Sequence, residues 1–279
     1  MKKLRKNDRY DNLTILCFIV ILFIPTVILN GSAWAQCDSI YATFVLLSLY
    51  FLMDGRYNLS IIVYGVALAF KLQAIFVLPV FLIMYFTNKS FSIVSLLWIP
   101  ITNLLLYIPA WIAGRPLKQL LKVYTTQTSQ YKYLVMNFPN FYALFNVGEH
   151  DLLHKAGILM TILLFAIIFH LIIIKNTTLD NEQILSLSLL SIVVATYFLP
   201  SMHDRYMYVG DVLSIIYVFV KKDKLYAPII ILFNSLAPYI TYLFGITTID
   251  YKLLSVAQLF ALVCIAIDFY KSITFSAKV

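Results

Sequence analysis

Residues 156–174 read AGILMTILLFAIIFHLIII, a run without a single charged side chain. An apolar run of about 20 residues is long enough to cross the hydrocarbon core of a bilayer as an α-helix. Shorter and longer apolar runs precede and follow it, separated by brief polar or charged breaks. The sequence thus predicts about ten membrane segments, some of them short or broken: 13–29, 40–53, 59–70, 74–86, 92–112, 156–174, 184–199, 207–220, 227–244 and 253–270.

The composition excludes a soluble protein. Of the 279 residues, 62% are hydrophobic and only 12% are charged, which is too few to coat a water-soluble surface. A transmembrane barrel would show apolar and polar residues in alternation, and no such alternation is present. We therefore expect an all-α polytopic helix bundle that forms one transmembrane domain over residues 1–279.

The basic residues indicate how the chain crosses the membrane. Five of them precede the first apolar run, where Ala33-Trp34-Ala35 also matches a signal-peptide cleavage site, but the run is long for a signal core and we treat it as an uncleaved helix. Alternating crossings from a cytoplasmic N-terminus put thirteen of the 21 basic residues inside and eight outside. The chain is thus expected in the cell membrane as a multi-pass protein, with both termini cytoplasmic.

The segments 59–70 and 74–86 are too short to cross comfortably, and Lys71 lies between them. A single crossing over 59–86 would put the basic loop at residues 221–224 outside, so the sequence favours a hairpin. The net charge of +8 is spread between apolar runs rather than gathered on one face, which argues against nucleic acid as a partner.

Three polar regions fall together on the predicted outer face: residues 30–39, the external loop 113–155, and residues 200–206. In the loop, Leu117, Leu120, Leu121 and Tyr124 recur at helical spacing, which predicts a helix lying on the membrane surface. We expect the functional residues in these regions.

Residues 30–39 carry an indole, an amide and an acid: Trp34, Gln36 and Asp38. Trp34 is also a typical interfacial anchor and Asp38 a typical helix cap, so a structural role remains open. Lys71, with Gln73 beside it, is either a lysine that snorkels to the surface or a cation that receives a phosphate.

The densest ionisable cluster is His203, Asp204 and Arg205, followed by Tyr206. An arginine can contact phosphate through two hydrogen bonds, and a histidine can donate to an anionic oxygen or carry a proton. Asp211 is expected near the same cavity. His150 and His154 have a spacing that could hold a metal, but a solvated loop is the stronger interpretation, and we predict no metal site.

These motifs, taken in order, resemble the bacterial relatives of the second GPI mannosyltransferase, within the GT-C superfamily of membrane glycosyltransferases. The resemblance covers about two thirds of the chain. It rests on Trp34-x-Gln36-x-Asp38-Ser39-Ile40-Tyr41, Lys71-x-Gln73, Asn137-x-Pro139-Asn140 and Met202-His203-Asp204-Arg205-Tyr206.

The resemblance implies a GT-C-like fold and the transfer of a hexose, mannose by the family's name, from a polyprenyl-phosphate sugar to a hydroxyl of a glycan or glycolipid acceptor. Membrane lipid is the surrounding partner and no cofactor is expected. The resemblance assigns the base to Asp38, the phosphate contacts to Lys71, His203 and Arg205, and the orientation of Arg205 to Asp204. Further substrate contacts would come from Trp34, Gln36, Gln73, Asn140 and Tyr206.

The chain departs from the family at its N-terminus. Family members carry several helices ahead of the Trp-x-Gln region, and their essential acid lies in the first external loop. Either Asp38 has taken that role or the chain is an N-terminally incomplete member, and we favour the second. A flippase for lipid-linked sugars and a noncatalytic partner subunit remain alternatives from other functional classes.

Overall fold

The computed structural model describes residue 4 and residues 12–128, 133–145, 151–175, 178–246 and 249–276. Over these ranges the secondary structure is helical apart from one pair of two-residue strands, so the prediction of an all-α protein is confirmed. The helices are α1 (Asn12–Leu22), α2 (Pro25–Ile28), α3 (Asp38–Met53), α4 (Tyr57–Phe70), α5 (Leu78–Thr87), α6 (Trp98–Ile112), α7 (Leu117–Leu121), α8 (Val123–Thr128), α9 (Asp151–Ile174), α10 (Asn181–Phe198), α11 (Tyr208–Val220), α12 (Tyr226–Phe244) and α13 (Tyr251–Ser276).

Each of the ten predicted membrane segments coincides with a helix or a bent helix pair. Fewer than ten of these helices are long enough to cross a membrane completely. Within the described ranges, five stretches are long and apolar enough: Ile93–Ile112, Asp151–Ile174, Asn181–Phe198, Tyr226–Phe244 and Tyr251–Thr274. A sixth results if the bent pair Asn12–Leu22 and Pro25–Ala33 is one span. Several helices are therefore apolar enough to span a membrane, as in a multi-pass membrane protein.

The first segment is broken rather than continuous. α1 ends at Leu22 and α2 begins at Pro25, with a bend of 49° between them. Proline cannot donate a backbone hydrogen bond and disfavours helical geometry in the residue before it, which explains the break. A π-helix over Leu29–Ala33 continues α2 and ends at Trp34.

Lys71 lies at the tip of a hairpin, as the sequence predicted. α4 ends at Phe70, Lys71 is extended (φ −156°, ψ 130°), and a 3-10 helix over Leu72–Val77 leads into α5. The Tyr64 and Phe81 rings are 4.6 Å apart, and Asn88 donates to the Tyr57 hydroxyl over 2.7 Å. Both contacts join residues at equal distances from one point of the chain, between Leu72 and Gln73, so α4 and α5 run antiparallel.

α10 is the central helix of the bundle. It packs against α5, α9, α11 and α13, and 83% of its spanning window is buried inside the protein. The hydroxyl groups of its serines donate hydrogen bonds to backbone carbonyls. Ser191, for example, donates to the Phe76 carbonyl over 2.6 Å. The α6 and α9 windows, by contrast, are only 17% buried and leave apolar side chains exposed, as lipid-facing helices do.

The breaks between helices gather at two ends of the bundle. At one end Asp268 pairs with Lys221 (2.5 Å) and Lys224 (3.4 Å), and the Lys175 ammonium lies 5.7 Å from the Tyr270 ring centroid. These lysines belong to the loops predicted to lie inside. The polar regions predicted to lie outside are at the opposite end, where α3 begins and α10 ends.

The external loop is partly helical. The spacing of Leu117, Leu120 and Leu121 predicted one helix, and the structure has two, α7 and α8, with Lys122 between them. Leu120 is buried, whereas Leu117 and Leu121 are exposed. After α8, strand β1 (Val135–Met136) pairs in parallel with strand β2 (Met202–His203). The prediction for His150 lies outside the described residues.

Candidate functional site

The external loop reaches the His203 cluster through the β1–β2 pair. Val135 is in register with Met202 and Met136 with His203. The Ser201 amide also donates to the Leu134 carbonyl over 3.0 Å. The structure therefore brings two of the three predicted polar regions into contact by backbone hydrogen bonds.

The third region joins through Asp38, the first residue of α3. Lys71 forms an ion pair with Asp38 Oδ1, and Asn30 Nδ2 donates to Asp38 Oδ2 over 2.8 Å. The Asp38 side chain is only 1% exposed. Both carboxylate oxygens thus have a donor, and the lysine has the partner that a cation at this depth requires.

Lys71, His203 and Arg205 form a group of neighbouring basic side chains. Burial and then the positive charges of Arg205 and Lys71 lower the pKa of His203 from its usual 6.5 to about 4. His203 is therefore neutral at pH 7, where it can donate or accept a hydrogen bond but adds no charge. The positive charges of this site are therefore those of Lys71 and Arg205.

Asp204 is the second carboxylate of the site. Its residue is 3% exposed, and Oδ1 accepts the backbone amide of Arg205 over 3.0 Å. Burial raises the pKa of Asp204 to about 6, an effect that the charge of Arg205 partly offsets. A carboxyl group that titrates near neutral pH is suited to accept a proton in a reaction.

Trp34 lies between the cluster and α12. Its ring stacks on Tyr242 (4.2 Å between centroids) and meets Tyr239 edge-on (5.1 Å). The Arg205 guanidinium lies 5.6 Å from the Trp34 ring centroid, a cation–π contact. The indole therefore holds Arg205 next to the α3 end of the site. Protein groups already cover part of the Trp34 ring, which was predicted to contact sugar.

Two buried polar atoms of the site lack a hydrogen-bond partner: Gln73 Oε1 and Arg205 Nε. Buried polar groups are nearly always paired in native proteins, so unpaired ones at a candidate site mark atoms that a ligand or water would satisfy. Gln36, in contrast, forms a local bond from Nε2 to the Trp34 carbonyl over 3.4 Å.

Tyr206 and Asn140 have different surroundings. The Tyr206 ring is 5.0 Å from the His203 ring and 6.3 Å from Phe76, inside the cluster. Asn140 is fully buried; it donates to the Leu134 carbonyl over 2.9 Å and accepts the Tyr142 amide over 3.1 Å. Asn140 therefore holds the loop in shape, and its contact with substrate stays a prediction.

No role for Asn30 or for the two α12 tyrosines was predicted from the sequence. Asn30 bridges Asp38 and the Tyr239 hydroxyl, and Tyr239 and Tyr242 hold Trp34. The only sequence signal was the i, i+3 spacing of two tyrosines near the end of an apolar run.

Two other features of the structure bear on the Lys71–Arg205 site: metal-ligand clusters and cavities. No group of three or more His, Cys, Asp or Glu side chains suited to a metal occurs in the described part of the chain. A cavity of about 550 Å³, lined by residues that include Arg56, Tyr57 and Trp98, lies at the opposite end of the bundle. The cavity therefore does not belong to the Lys71–Arg205 site.

Comparison with known proteins does not assign the chain to a family. No protein-family model matches the chain, and no curated protein shows a significant match to it.

Proposed function

We propose that the chain is a GT-C-type membrane glycosyltransferase that moves a hexose from a polyprenyl-phosphate sugar to an acceptor hydroxyl. The observation that carries this proposal is the meeting of Lys71, His203 and Arg205 with two buried carboxylates, Asp38 and Asp204. A lipid-linked sugar presents a phosphate for the cations and a sugar carbon for attack. The site has the charge and the proton acceptor that such a transfer needs.

The phosphate contacts are assigned to Arg205, Lys71 and His203. Arg205 has an unpaired Nε and offers planar donors that match phosphate oxygens. Lys71 provides a second positive charge. Neutral His203 donates a hydrogen bond to a phosphate oxygen, and the negative charge of the phosphate raises the tendency of His203 to protonate.

Asp204 is a better base than Asp38, the base that the resemblance implied. Both Asp38 oxygens have donors, Lys71 and Asn30, and its side chain is 1% exposed. The Asp204 carboxyl group accepts hydrogen bonds from backbone amides and has no ion pair among the described contacts, and its pKa is raised to about 6. In this proposal Asp38 positions Lys71, and Asp204 removes the acceptor proton.

The proposed reaction is a single displacement. The acceptor hydroxyl gives its proton to the Asp204 carboxylate, and its oxygen attacks the anomeric carbon of the sugar. The bond between that carbon and the phosphate oxygen breaks, and the phosphate leaves with the bonding electrons. Lys71 and Arg205 stabilise the negative charge that develops on the leaving phosphate. Attack opposite the leaving group inverts the anomeric configuration.

The proposed orientation puts this site on the outer face of the cell membrane with both termini cytoplasmic. Clustering of Lys175, Lys221 and Lys224 at the other end of the bundle supports it, because basic loops remain preferentially in the cytoplasm. Substrates on that face include a polyprenyl-phosphate mannose or glucose and a cell-envelope glycan or glycolipid.

Sugar transfer by the purified chain tests the proposal. Reconstituted protein is supplied with radiolabelled polyprenyl-phosphate mannose or glucose and extracted cell-envelope acceptors. We expect label in the acceptor fraction from wild type and none from Asp204→Asn. Donor binding without transfer would instead support a noncatalytic partner subunit.

A lipid-linked-sugar transporter is the second candidate function. Asp211, Asn234 and Gln258 are completely buried between helices, so polar side chains extend beyond the outer cluster into the bundle. Polar groups along a path through the bundle are what a transporter requires. Translocation of a fluorescent lipid-linked sugar across proteoliposomes, with no covalent transfer, would favour this function.

A further inference from the structure

The cavity of about 550 Å³ lies between the start of α4 and the start of α6. One wall is formed by residues 55–59, which end the turn before α4 and begin that helix. The other wall is formed by residues between 90 and 98, from the loop after α5 to the first residue of α6. The Ser95 hydroxyl donates to Asn58 Oδ1 over 2.7 Å, so a hydrogen bond joins the two walls.

Arg56 supplies the charge of the cavity, whose described lining contains no Asp or Glu. Its guanidinium lies 4.9 Å from the Phe51 ring centroid, a cation–π contact that holds the side chain. Among the described residues, no acidic side chain forms an ion pair with Arg56, and Asp54 in the same turn does not line the cavity. The cavity therefore carries a positive charge that no carboxylate of its own neutralises.

The other polar side chains of the lining offer hydrogen-bond donors. Because the Ser95 hydroxyl donates to Asn58 Oδ1, the Asn58 Nδ2 donors have no acceptor among the described residues. Ser92 Oγ accepts the Val94 amide over 3.2 Å, so the Ser92 hydroxyl proton is available to a ligand. Ser90 adds a further hydroxyl. Donors beside an arginine are the combination that binds an anion.

The first turn of α4 adds to this positive field. α4 is 14 residues long, and the Arg56 side chain at its N-cap forms no capping hydrogen bond. The first amides of a helix have no acceptor inside the helix, and the first three residues of α4 line the cavity. The partial positive charge of the helix N-terminus thus acts on the same space as Arg56.

Exposed apolar side chains continue from the cavity along the start of α6. Val94 and Trp98 line the cavity, and both are exposed, as are Ile93 and Leu97 beside them. Tryptophan is enriched where a membrane protein meets the lipid headgroups. The cavity therefore suits an amphiphile whose anionic group binds beside Arg56 and whose acyl chains cover α6. A soluble phosphate would leave this apolar surface uncovered.

We propose that the cavity binds the headgroup of an anionic phospholipid, with the lipid phosphate on Arg56 and the acyl chains against α6. The planar donors of arginine match phosphate oxygens, and basic pockets between membrane helices bind anionic headgroups. The described lining has no carboxylate to pair with the ammonium of a zwitterionic headgroup. Phosphatidylglycerol is therefore preferred over phosphatidylcholine.

The bound lipid would tie the start of α4 to the start of α6, the two walls that the Ser95–Asn58 bond already joins. The orientation proposed above puts the cavity in the cytoplasmic leaflet. Binding itself depends neither on that orientation nor on glycosyl transfer, so the lipid site and the proposed function can fail separately.

Native mass spectrometry of the detergent-purified protein tests the lipid site without any assay of activity. Binding of the first lipid is measured with dioleoyl phosphatidylglycerol and with dioleoyl phosphatidylcholine, which have the same acyl chains. We expect phosphatidylglycerol to bind at least about tenfold more tightly, and inorganic phosphate at equal concentration not to displace it. Equal affinities would overturn the proposal, and displacement by inorganic phosphate would show a soluble ligand instead of a lipid.

Variants locate the bound lipid on the chain. Arg56→Gln should weaken phosphatidylglycerol binding about tenfold and remove the preference over phosphatidylcholine, and Arg56→Lys should retain part of both. Lys222→Gln removes an exposed charge outside the cavity lining and should leave binding unchanged. An unchanged preference in Arg56→Gln would contradict the site, because the lipid would then bind elsewhere on the protein.

Discussion

Lys71 pairs with Asp38 although 33 positions separate them in the chain. The pair joins the tip of the α4–α5 hairpin to the first turn of α3, and Asn30 completes the coordination of Asp38. Removing one partner of a buried pair leaves an uncompensated charge, which costs about 3–5 kcal/mol. The pair is therefore both a structural tie and the support that holds one cation in the proposed phosphate site.

The first prediction concerns this pair. Lys71→Met and Asp38→Asn should each lower the free energy of unfolding by about 3 kcal/mol, and the double variant by clearly less than the sum. Chemical unfolding in detergent measures the coupling. The exposed pair Lys155–Asp151 is the matched control; its disruption should cost no more than about 0.5 kcal/mol. Additive effects at Lys71 and Asp38 would show that the pair does not couple.

The second prediction concerns donor binding. Arg205→Ala should weaken the binding of polyprenyl phosphate at least about tenfold, and Arg205→Lys should recover part of the loss, since a lysine keeps the charge but not the planar donors. Lys71→Ala should weaken binding as well. Binding of radiolabelled lipid measures both, with Arg115→Ala on the exposed loop as the control. Unchanged affinity in Arg205→Ala and Lys71→Ala would remove their proposed role.

The third prediction is a pH profile. Because burial raises the pKa of Asp204 to about 6, the transfer rate should rise about tenfold per pH unit below pH 6 and level off above pH 7. Asp204→Asn should lower the rate at least about a hundredfold with donor binding retained. Asp38→Asn should act mainly on donor affinity through Lys71. If Asp38→Asn abolishes turnover at saturating donor while Asp204→Asn does not, the base is Asp38.

The fourth prediction concerns stability in acid. Burial lowers the folded-state pKa of His203 from 6.5 to about 4, so its neutral form favours folding. This contribution is present above pH 6.5 and is lost as the pH falls through 6.5 towards 4. The raised pKa of Asp204 acts in the opposite direction, since protonation between pH 6 and 4 favours the folded state.

His203→Gln isolates the histidine contribution. The variant should lose less stability than wild type when the pH falls from 7 to 4.5, because glutamine does not protonate. The midpoint of thermal unfolding at a series of pH values measures the difference. His154→Gln is a second histidine variant for comparison, outside the Lys71–Arg205 site. A His203→Gln curve parallel to wild type would contradict the burial of a neutral imidazole.

Much of the fold follows from where the apolar runs start and stop. Those positions predicted an all-α chain, the hairpin at Lys71 and the gathering of residues 30–39, 113–155 and 200–206 at one end, and the described residues of the structure have each of these features. The number of membrane crossings was harder to predict from the sequence, because α3, α4, α5 and α11 are apolar yet shorter than a full span. Length alone does not say whether a short apolar helix crosses or turns back.

The partners of the site residues could not be read from the sequence. Asn30 meets Tyr239, and Asp211 meets Ser235, because α2, α11 and α12 pack together, and side-chain direction within an apolar run depends on that packing. Lys71 was known to require a partner, but not which one. Asp38 was expected to serve as a base, and only the contacts from Lys71 and Asn30 reveal that its oxygens are occupied.

Transfer of a radiolabelled hexose by the purified, reconstituted chain tests the central claim most directly, with Arg205→Ala and Asp204→Asn measured beside wild type. The account predicts label in the acceptor from wild type, slower transfer even at saturating donor in Arg205→Ala, and no transfer at any donor concentration in Asp204→Asn. A wild-type chain that neither binds polyprenyl-phosphate sugar nor transfers its hexose would contradict it.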